Sequence, residues 1–114
     1  MASYQKRIQS FKVGPDYIDP MYHSQITKLP CRNLDPVITS EQYVTDCFYR
    51  YNNEYSLIEG VMGLFDGMSG VDDFGSTAHI SKLLKVPIVL VVDCRSISRS
   101  LVALIHGYNT FDPD

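Results

Sequence analysis

The chain has 114 residues, enough for one domain at about 100–200 residues per domain, and 45% of them are hydrophobic, which excludes disorder over most of its length. Its formal net charge of -3 argues against a nucleic-acid partner, and its longest apolar run, residues 86–92, is far shorter than the about twenty residues of a membrane span. Three scattered cysteines without a CxxC pair argue against a disulfide framework or a zinc site and predict a reducing, cytoplasmic location.

The first third of the chain predicts one strand and one short helix. Residues 8–13 (IQSFKV) alternate apolar and polar side chains, as a short strand does. The glycine and prolines of residues 14–20 predict irregular backbone, and a short helix is predicted over residues 21–27. The prolines of residues 28–36 predict a further loop before the next helix.

The rest of the chain predicts helices and strands in alternation. In order, we expect a helix capped by Ser40 and ending near residue 52, a strand at 55–58, a glycine-rich loop at 59–75, a helix from Ser76 to residue 85, a strand at 88–92 and a helix at 98–108. Residues 88–92 (IVLVV) are continuously apolar, which indicates a strand buried on both faces. This alternation predicts an α/β fold, a parallel sheet with flanking helices.

Acidic side chains follow each predicted strand, at the edge where such sheets bind ligands. They are Asp16 and Asp19 after the first strand, Glu59 and Asp66 after the second, and Asp93 after the third. Carboxylates at this edge hold nucleotide-bound Mg²⁺, which takes hard oxygen ligands. The alternative role for each is to cap a turn or a helix N-terminus. For Glu59, the glycine that follows favours a ligand, because a ligand can approach bare backbone closely.

Other residue types give weaker indications of a site. The glycines of the loop at 59–75, among them Gly60 and Gly63, are typical of a phosphate-binding loop but also of plain turns, and no GxxxxGK[ST] motif occurs. The three histidines lack metal-ligand spacing, and packing or solvent exposure is the better interpretation for His79 and His106. The cysteines lack a recognisable histidine-paired motif and are predicted to pack.

Four blocks of sequence resemble the ATP-binding part of cobyrinic acid a,c-diamide synthases. They are FKVGPDYIDPMYH…RNLDP, IEGVMGLFDG, GSTAHISKLLKVPIVLVVD and SRSLVALIHGYNTFDP, in the family's order over about residues 8–113. The resemblance implies an incomplete P-loop NTPase domain, similar to dethiobiotin synthetase. It also implies that a glutaminase domain follows in members of the family.

The resemblance further implies an ATP- and Mg²⁺-dependent amidation in cobalamin biosynthesis. ATP would phosphorylate the a and c carboxylates of cobyrinic acid, and ammonia from glutamine would displace the phosphate. On this basis Glu59 is the magnesium ligand, Lys12 steadies the transferring phosphate, and Asp66 assists at the metal or the intermediate. The loop that shapes the substrate and acyl-phosphate site is formed by Asp16, Tyr17, Ile18 and Asp19.

Two parts of the family pattern have no counterpart in residues 1–114. The strand and GKT-like phosphate loop that precede FKVGPDYID in the family are not found, nor is the glutaminase with its cysteine nucleophile. We therefore expect a partial ATP-binding domain with an internal or misassigned start at Met1, which binds ATP weakly. Its strand edges would remain unpaired, which predicts self-association.

Three alternatives remain open at the level of sequence. The same blocks would suit a nickel-sirohydrochlorin a,c-diamide synthase. The chain would also suit a non-catalytic truncated product, or a split subunit whose partner chain supplies the phosphate loop. Another P-loop relative, such as a partition-type ATPase or dethiobiotin synthetase, is disfavoured by the KVGPDYID loop.

Overall fold

The computed structural model describes residues 7–113, in which three strands form one sheet with four helices along the chain. In chain order the elements are β1 (Ile8–Val13), α1 (Ile18–Thr27), β2 (Arg32–Leu34), α2 (Glu41–Tyr51), β3 (Tyr55–Glu59), α3 (Thr77–Leu84) and α4 (Ser100–Phe111). The strands are parallel in the order β2-β1-β3. The predicted α/β class with a parallel sheet is confirmed, and the P-loop NTPase assignment stays a prediction.

The central position of β1 brings the ends of the three strands to one edge of the sheet. Lys12 lies level with Asn33 of β2 on one side and with Glu59 of β3 on the other. Because parallel strands end at the same edge, the loops that follow β1 and β3 leave side by side. We call this edge the carboxyl edge.

The hydrophobic core lies on one face of the sheet, under α2 and α3. Phe11 and Val13 of β1 are fully buried there, together with Ile80 and Leu84 of α3. The ring of Phe11 packs on that of Phe48 of α2, with 5.2 Å between ring centroids. These contacts fix β1 against two helices and so fix the carboxyl edge.

The opposite face of β1 carries polar side chains. Side chains alternate along a strand, so Ser10 and Lys12 point away from the core of Phe11 and Val13. Both polar residues are nevertheless buried. Leu57 of β3, which lies level with Ser10, is 58% exposed, so residues 7–113 leave part of this face uncovered.

Two predicted helix starts are confirmed by their caps. The hydroxyl of Ser40 accepts a 3.1 Å hydrogen bond from the N–H of Tyr43 at the start of α2. The hydroxyl of Ser76 accepts the N–H of His79 at the same distance at the start of α3. Each hydroxyl satisfies a backbone donor that the first turn of a helix leaves free.

The predicted strand at residues 88–92 is wrong. This segment has no regular secondary structure, and Val89 and Val91 are 87% and 89% exposed. A strand exists only with a hydrogen-bonded neighbour, and within residues 7–113 the three-stranded sheet ends at β3. An apolar run therefore predicts burial only where the fold supplies that neighbour.

Two predicted irregular segments contain regular structure. Residues 32–34 form β2. The sequence did not predict this strand, because prolines stand on both sides of it and three residues are too few for a periodic pattern. Helix α1 starts at Ile18 rather than at residue 21, and Pro20 lies in its first turn, where no backbone N–H is needed. The last helix covers Ser100–Phe111, somewhat later than the predicted residues 98–108.

The helices within residues 7–113 are all too short or too polar to cross a lipid bilayer.

Candidate functional site

The buried amino group of Lys12 is the centre of the candidate site at the carboxyl edge. The Lys12 side chain is 5% exposed, and its Nζ donates a 2.7 Å hydrogen bond to the carbonyl oxygen of Gly60. The carboxylates of Asp19 and Glu59 approach the same Nζ to 3.6 and 4.0 Å. A buried ammonium group needs such partners, and these join β1, α1 and β3 at one point.

Glu59 also meets the imidazole of His23 on α1. The Nε2 of His23 lies 2.8 Å from Oε2 of Glu59, but the pair is not aligned as a hydrogen bond, and Oε2 is buried with no donor. His23 follows Asp19 by four positions, so both side chains lie on the helix face that meets Lys12. We call Lys12, Asp19, His23 and Glu59 the lysine cluster.

The loop between β1 and α1 is held by hydrogen bonds beside the lysine cluster. Oδ1 of Asp16 accepts a 2.8 Å hydrogen bond from the N–H of Ile18, and the Asp16 carbonyl oxygen accepts one from the amide of Asn33. The Ile18 N–H is the main factor that lowers the pKa of Asp16 below its ordinary value, so the carboxylate is ionised at neutral pH. Tyr17 and Ile18 are exposed and thus accessible to a ligand.

The glycine-rich loop after β3 packs closely against α3 and against itself. A Cβ added at Gly60 would lie 2.7 Å from the Thr77 hydroxyl, which itself accepts the N–H of Val61 at 3.1 Å. A Cβ added at Gly63 would lie against the Asp66 carboxylate, which accepts the Gly63 N–H at 2.9 Å. Close packing accounts for both glycines, and their contact with phosphate stays a prediction.

Two of the acidic residues that follow predicted strands lie outside the lysine cluster. The Asp66 carboxylate accepts the N–H of Gly63 in its own turn, and within residues 7–113 no hydrogen bond or ion pair joins it to the cluster. Asp93 pairs with Arg95, at 2.6 Å between Oδ2 and Nη2, and both side chains are exposed. The structure thus brings Lys12, Asp19 and Glu59 together and leaves these two acids apart.

His23 is the member of the lysine cluster that sequence analysis missed. Its contact with Glu59 joins two elements that are distant in the chain, and no motif links them. The available signal was its spacing of four from Asp19, but this spacing matters only when residues 18–20 are helical.

The lysine cluster offers one protein ligand for Mg²⁺, the Glu59 carboxylate, and not a complete set of ligands. Within residues 7–113 no group of three or more His, Cys, Asp or Glu side chains is arranged to hold a metal ion. Mg²⁺ at nucleotide sites uses one or two carboxylates and takes its other ligands from water and phosphate. Oε1 of Glu59 suits this role, because it is not buried and no described residue donates a hydrogen bond to it.

An open cavity of about 370 Å³ adjoins the loop after β1. It is lined by Pro15 of that loop and by Asn33 of β2, in the segment that sequence analysis treated as plain loop. Cys31 and Cys47 also line it, and burial raises the pKa of both thiols. The thiols therefore stay protonated at neutral pH, which fits the packing role predicted for them.

The sequence of the chain is similar to those of proteins that share one name. No protein-family model and no solved structure matches the chain. The chain is 58% identical to a cobyrinate a,c-diamide synthase of Synechocystis sp. over 117 residues, which cover 99% of the chain and 24% of that relative. Relatives of the same name in Synechococcus sp. and Methanosarcina acetivorans are 54% and 49% identical over 95% of the chain.

The chain spans about a quarter of the length of the curated relatives that it matches. The matches have identities of 44–58% and cover nearly the whole chain, including the segments between the four blocks that carried the resemblance. The resemblance to cobyrinate a,c-diamide synthases is therefore confirmed for this part of the family's sequence.

Proposed function

We propose that this chain is the part of a cobyrinate a,c-diamide synthase that brings a substrate carboxylate together with Mg²⁺-bound ATP. In the proposed reaction a carboxylate oxygen of cobyrinate attacks the γ-phosphorus of ATP, and ADP leaves. Ammonia released from glutamine then attacks the acyl carbon, and inorganic phosphate leaves as the amide forms. The relatives' name supports this substrate, and the glutaminase step belongs to sequence outside residues 1–114.

The observation that carries the proposal is the lysine cluster at the carboxyl edge. Phosphoryl transfer depends on positioning and on neutralising charge, and this edge is where open α/β sheets bind nucleotides. Glu59 supplies an open carboxylate oxygen there, and Lys12 supplies a buried positive charge 4.0 Å from the other oxygen of that carboxylate, Oε2. Glu59 would hold Mg²⁺, which when bound would supply positive charge to withdraw electrons from the phosphate oxygens.

The Nζ of Lys12 lies within 4.0 Å of two carboxylates of the site. That nitrogen is already bonded to the carbonyl oxygen of Gly60 and paired with Asp19 and Glu59. An ammonium group has three N–H donors, and within residues 7–113 only one of them is hydrogen-bonded, to Gly60. We propose that Lys12 donates another N–H to a phosphate oxygen when ATP binds, which retains its role in steadying the phosphoryl group.

The loop between β1 and α1 is the proposed binding surface for the substrate. Asp16 and Asp19 flank the exposed side chains of Tyr17 and Ile18. A large planar substrate can lie against those two side chains while one of its carboxylates enters the lysine cluster. Asp66, whose carboxylate accepts the N–H of Gly63, would assist at the metal or the intermediate once that hydrogen bond is released.

A chimaera tests the proposal, because it restores the length of the relatives. The matching 117 residues of the Synechocystis relative are replaced by this chain, and ATP- and glutamine-dependent amidation of cobyrinate is measured. We expect an active chimaera, and we expect Glu59→Gln to lower kcat by at least about 100-fold, since the metal would lose its protein ligand. The control is Glu54→Gln, at an exposed position before β3.

The substrate arm of the same assay separates the alternatives. Amidation of nickel sirohydrochlorin but not of cobyrinate would replace the proposed substrate, and activity on diaminopelargonic acid would indicate a dethiobiotin-synthetase-like enzyme. An active chimaera in which Glu59→Gln behaves as Glu54→Gln does would refute the metal role of Glu59.

A further inference from the structure

The two oxygens of the Glu59 carboxylate lie in different surroundings. Oε2 is buried and faces cationic or polar nitrogens on two sides, Nε2 of His23 at 2.8 Å and Nζ of Lys12 at 4.0 Å. Oε1 is not buried and accepts no hydrogen bond from any described residue. One oxygen of the carboxylate thus lies close to two nitrogens without a hydrogen bond from either, and the other oxygen is open.

His23 is the closer of the two neighbouring groups. Lys12 at 4.0 Å attracts the carboxylate without fixing its direction, and its Nζ is shared with Gly60 and Asp19. Within residues 7–113 the His23 imidazole makes no other hydrogen bond, ion pair or ring contact, and it comes from a helix packed on β1. His23 is therefore the described group best placed to hold the direction of the Glu59 carboxylate.

We infer that His23 is a positioning residue, which holds Oε2 of Glu59 so that Oε1 is presented to a divalent cation. The inference rests on the metal role of Glu59 in the proposed function. Partners behind a metal ligand fix its orientation, and their removal typically costs about 10–100-fold in metal affinity. His23 is such a partner of Glu59, because it lies next to Oε2 and not next to the open oxygen Oε1.

The test titrates the chimaera described above with Mg²⁺ in the presence of ATP, because the proposed Mg²⁺ takes its remaining ligands from phosphate and water, and follows the binding by NMR. We expect His23→Ala to raise the Kd for Mg²⁺ about 10-fold. His23→Gln should stay within about threefold of wild type, because the Gln amide nitrogen can reach the place of Nε2, whereas His23→Asn is too short and should resemble His23→Ala. His106→Ala, on the exposed face of α4, is the matched control.

A second readout needs no metal. In the Mg²⁺-free protein the Cδ resonance of Glu59 should shift in His23→Ala and stay unchanged in His106→Ala, because only the first variant removes its neighbour. If His23→Ala does not fold, the comparison of His23→Gln with His23→Asn carries the same test.

The outcomes separate this inference from the function on which it rests. Mg²⁺ binding that is absent in wild type, or that Glu59→Gln does not reduce, overturns the metal role of Glu59 and the inference with it. Binding that Glu59→Gln abolishes but that is equal in His23→Ala, His23→Asn and wild type overturns the inference alone.

Discussion

The region from β1 to α3 and the region after α3 differ in burial, and this difference does not follow the order of their hydrophobicity. In β1, which alternates apolar and polar residues, five of six residues are buried, whereas the continuously apolar residues 88–92 are exposed or half-buried, and α4 has no buried residue. The first region has a strand neighbour on each side of β1 and two helices over one face. Burial in this chain therefore follows from available partners rather than from hydrophobicity alone.

The largest contrast is expected when one side chain is truncated in each region. Phe11→Ala removes a fully buried ring that packs on Phe48 and should lower the free energy of unfolding by about 3–5 kcal/mol. Val91→Ala removes an exposed side chain and should change it by less than about 0.5 kcal/mol. Urea unfolding of both variants measures the difference, and equal effects would contradict the division into two regions.

The exposed strand sequence should mediate self-association. Val89 and Val91 are almost fully exposed, and β3 has no strand on its outer side within residues 7–113. Since such segments pair with other copies, the mass of the wild-type chain in sedimentation velocity should rise with concentration. The variant Val89→Lys with Val91→Lys should reduce this rise, and Val102→Lys on α4 is the control. A monomer at every concentration would refute the prediction.

Features that depend on neighbouring residues or on a general rule of sheet topology could be predicted from the sequence, and features that depend on the exact packing of distant elements could not. The N-caps Ser40 and Ser76 were predictable because capping depends on neighbouring residues only. The meeting of Lys12 with Glu59 followed from the rule that parallel strands end at one edge. The contact of His23 with Glu59 was not predictable, because it requires both the start of α1 at Ile18 and the register of β1 with β3.

Residues 88–92 show the opposite error, because a strand was predicted there and is not formed. The pattern of five apolar residues is typical of a central strand, and only the surrounding sheet decides whether a neighbour exists. For a related reason, the sequence indicated acidic residues of the candidate site but not how their side chains are arranged. Asp66 and Glu59 are close in sequence, but the turn that binds Asp66 to Gly63 is set by local hydrogen bonds that the spacing does not reveal.

The helix caps give a smaller contrast between the two regions. Ser76 is fully buried and its hydroxyl caps α3, so Ser76→Ala should lower the free energy of unfolding by about 1 kcal/mol. Ser98→Ala, near the start of α4, should have almost no effect, since α4 begins after Arg99 without a side-chain cap. Thermal unfolding of the two variants measures both effects, and a destabilised Ser98→Ala would indicate a stabilising role for α4 that its exposure does not suggest.

The smallest contrast is a pH dependence that distinguishes Asp16 from Asp93. Both carboxyl groups have a pKa below the ordinary 3.8, Asp16 chiefly through the N–H of Ile18 at the start of α1, and Asp93 through the side chain of Arg95. A pKa lowered by folding means that the ionised form stabilises the fold above pH 3.8, and that this contribution is lost as the pH falls through the lower folded value.

For Asp93 the partner is two residues away and exposed, so the same pairing persists in the unfolded chain and is screened by solvent. We therefore expect Asp16→Asn, which keeps the acceptor for Ile18 but removes the charge, to be less stable than wild type at pH 6. Its deficit should shrink towards pH 3, because wild-type Asp16 is then losing its charge as well. Asp93→Asn should match wild type at both pH values in urea unfolding. A deficit of Asp16→Asn that grows as the pH falls would reverse the sign of the linkage and contradict the hydrogen bond to Ile18 as its cause.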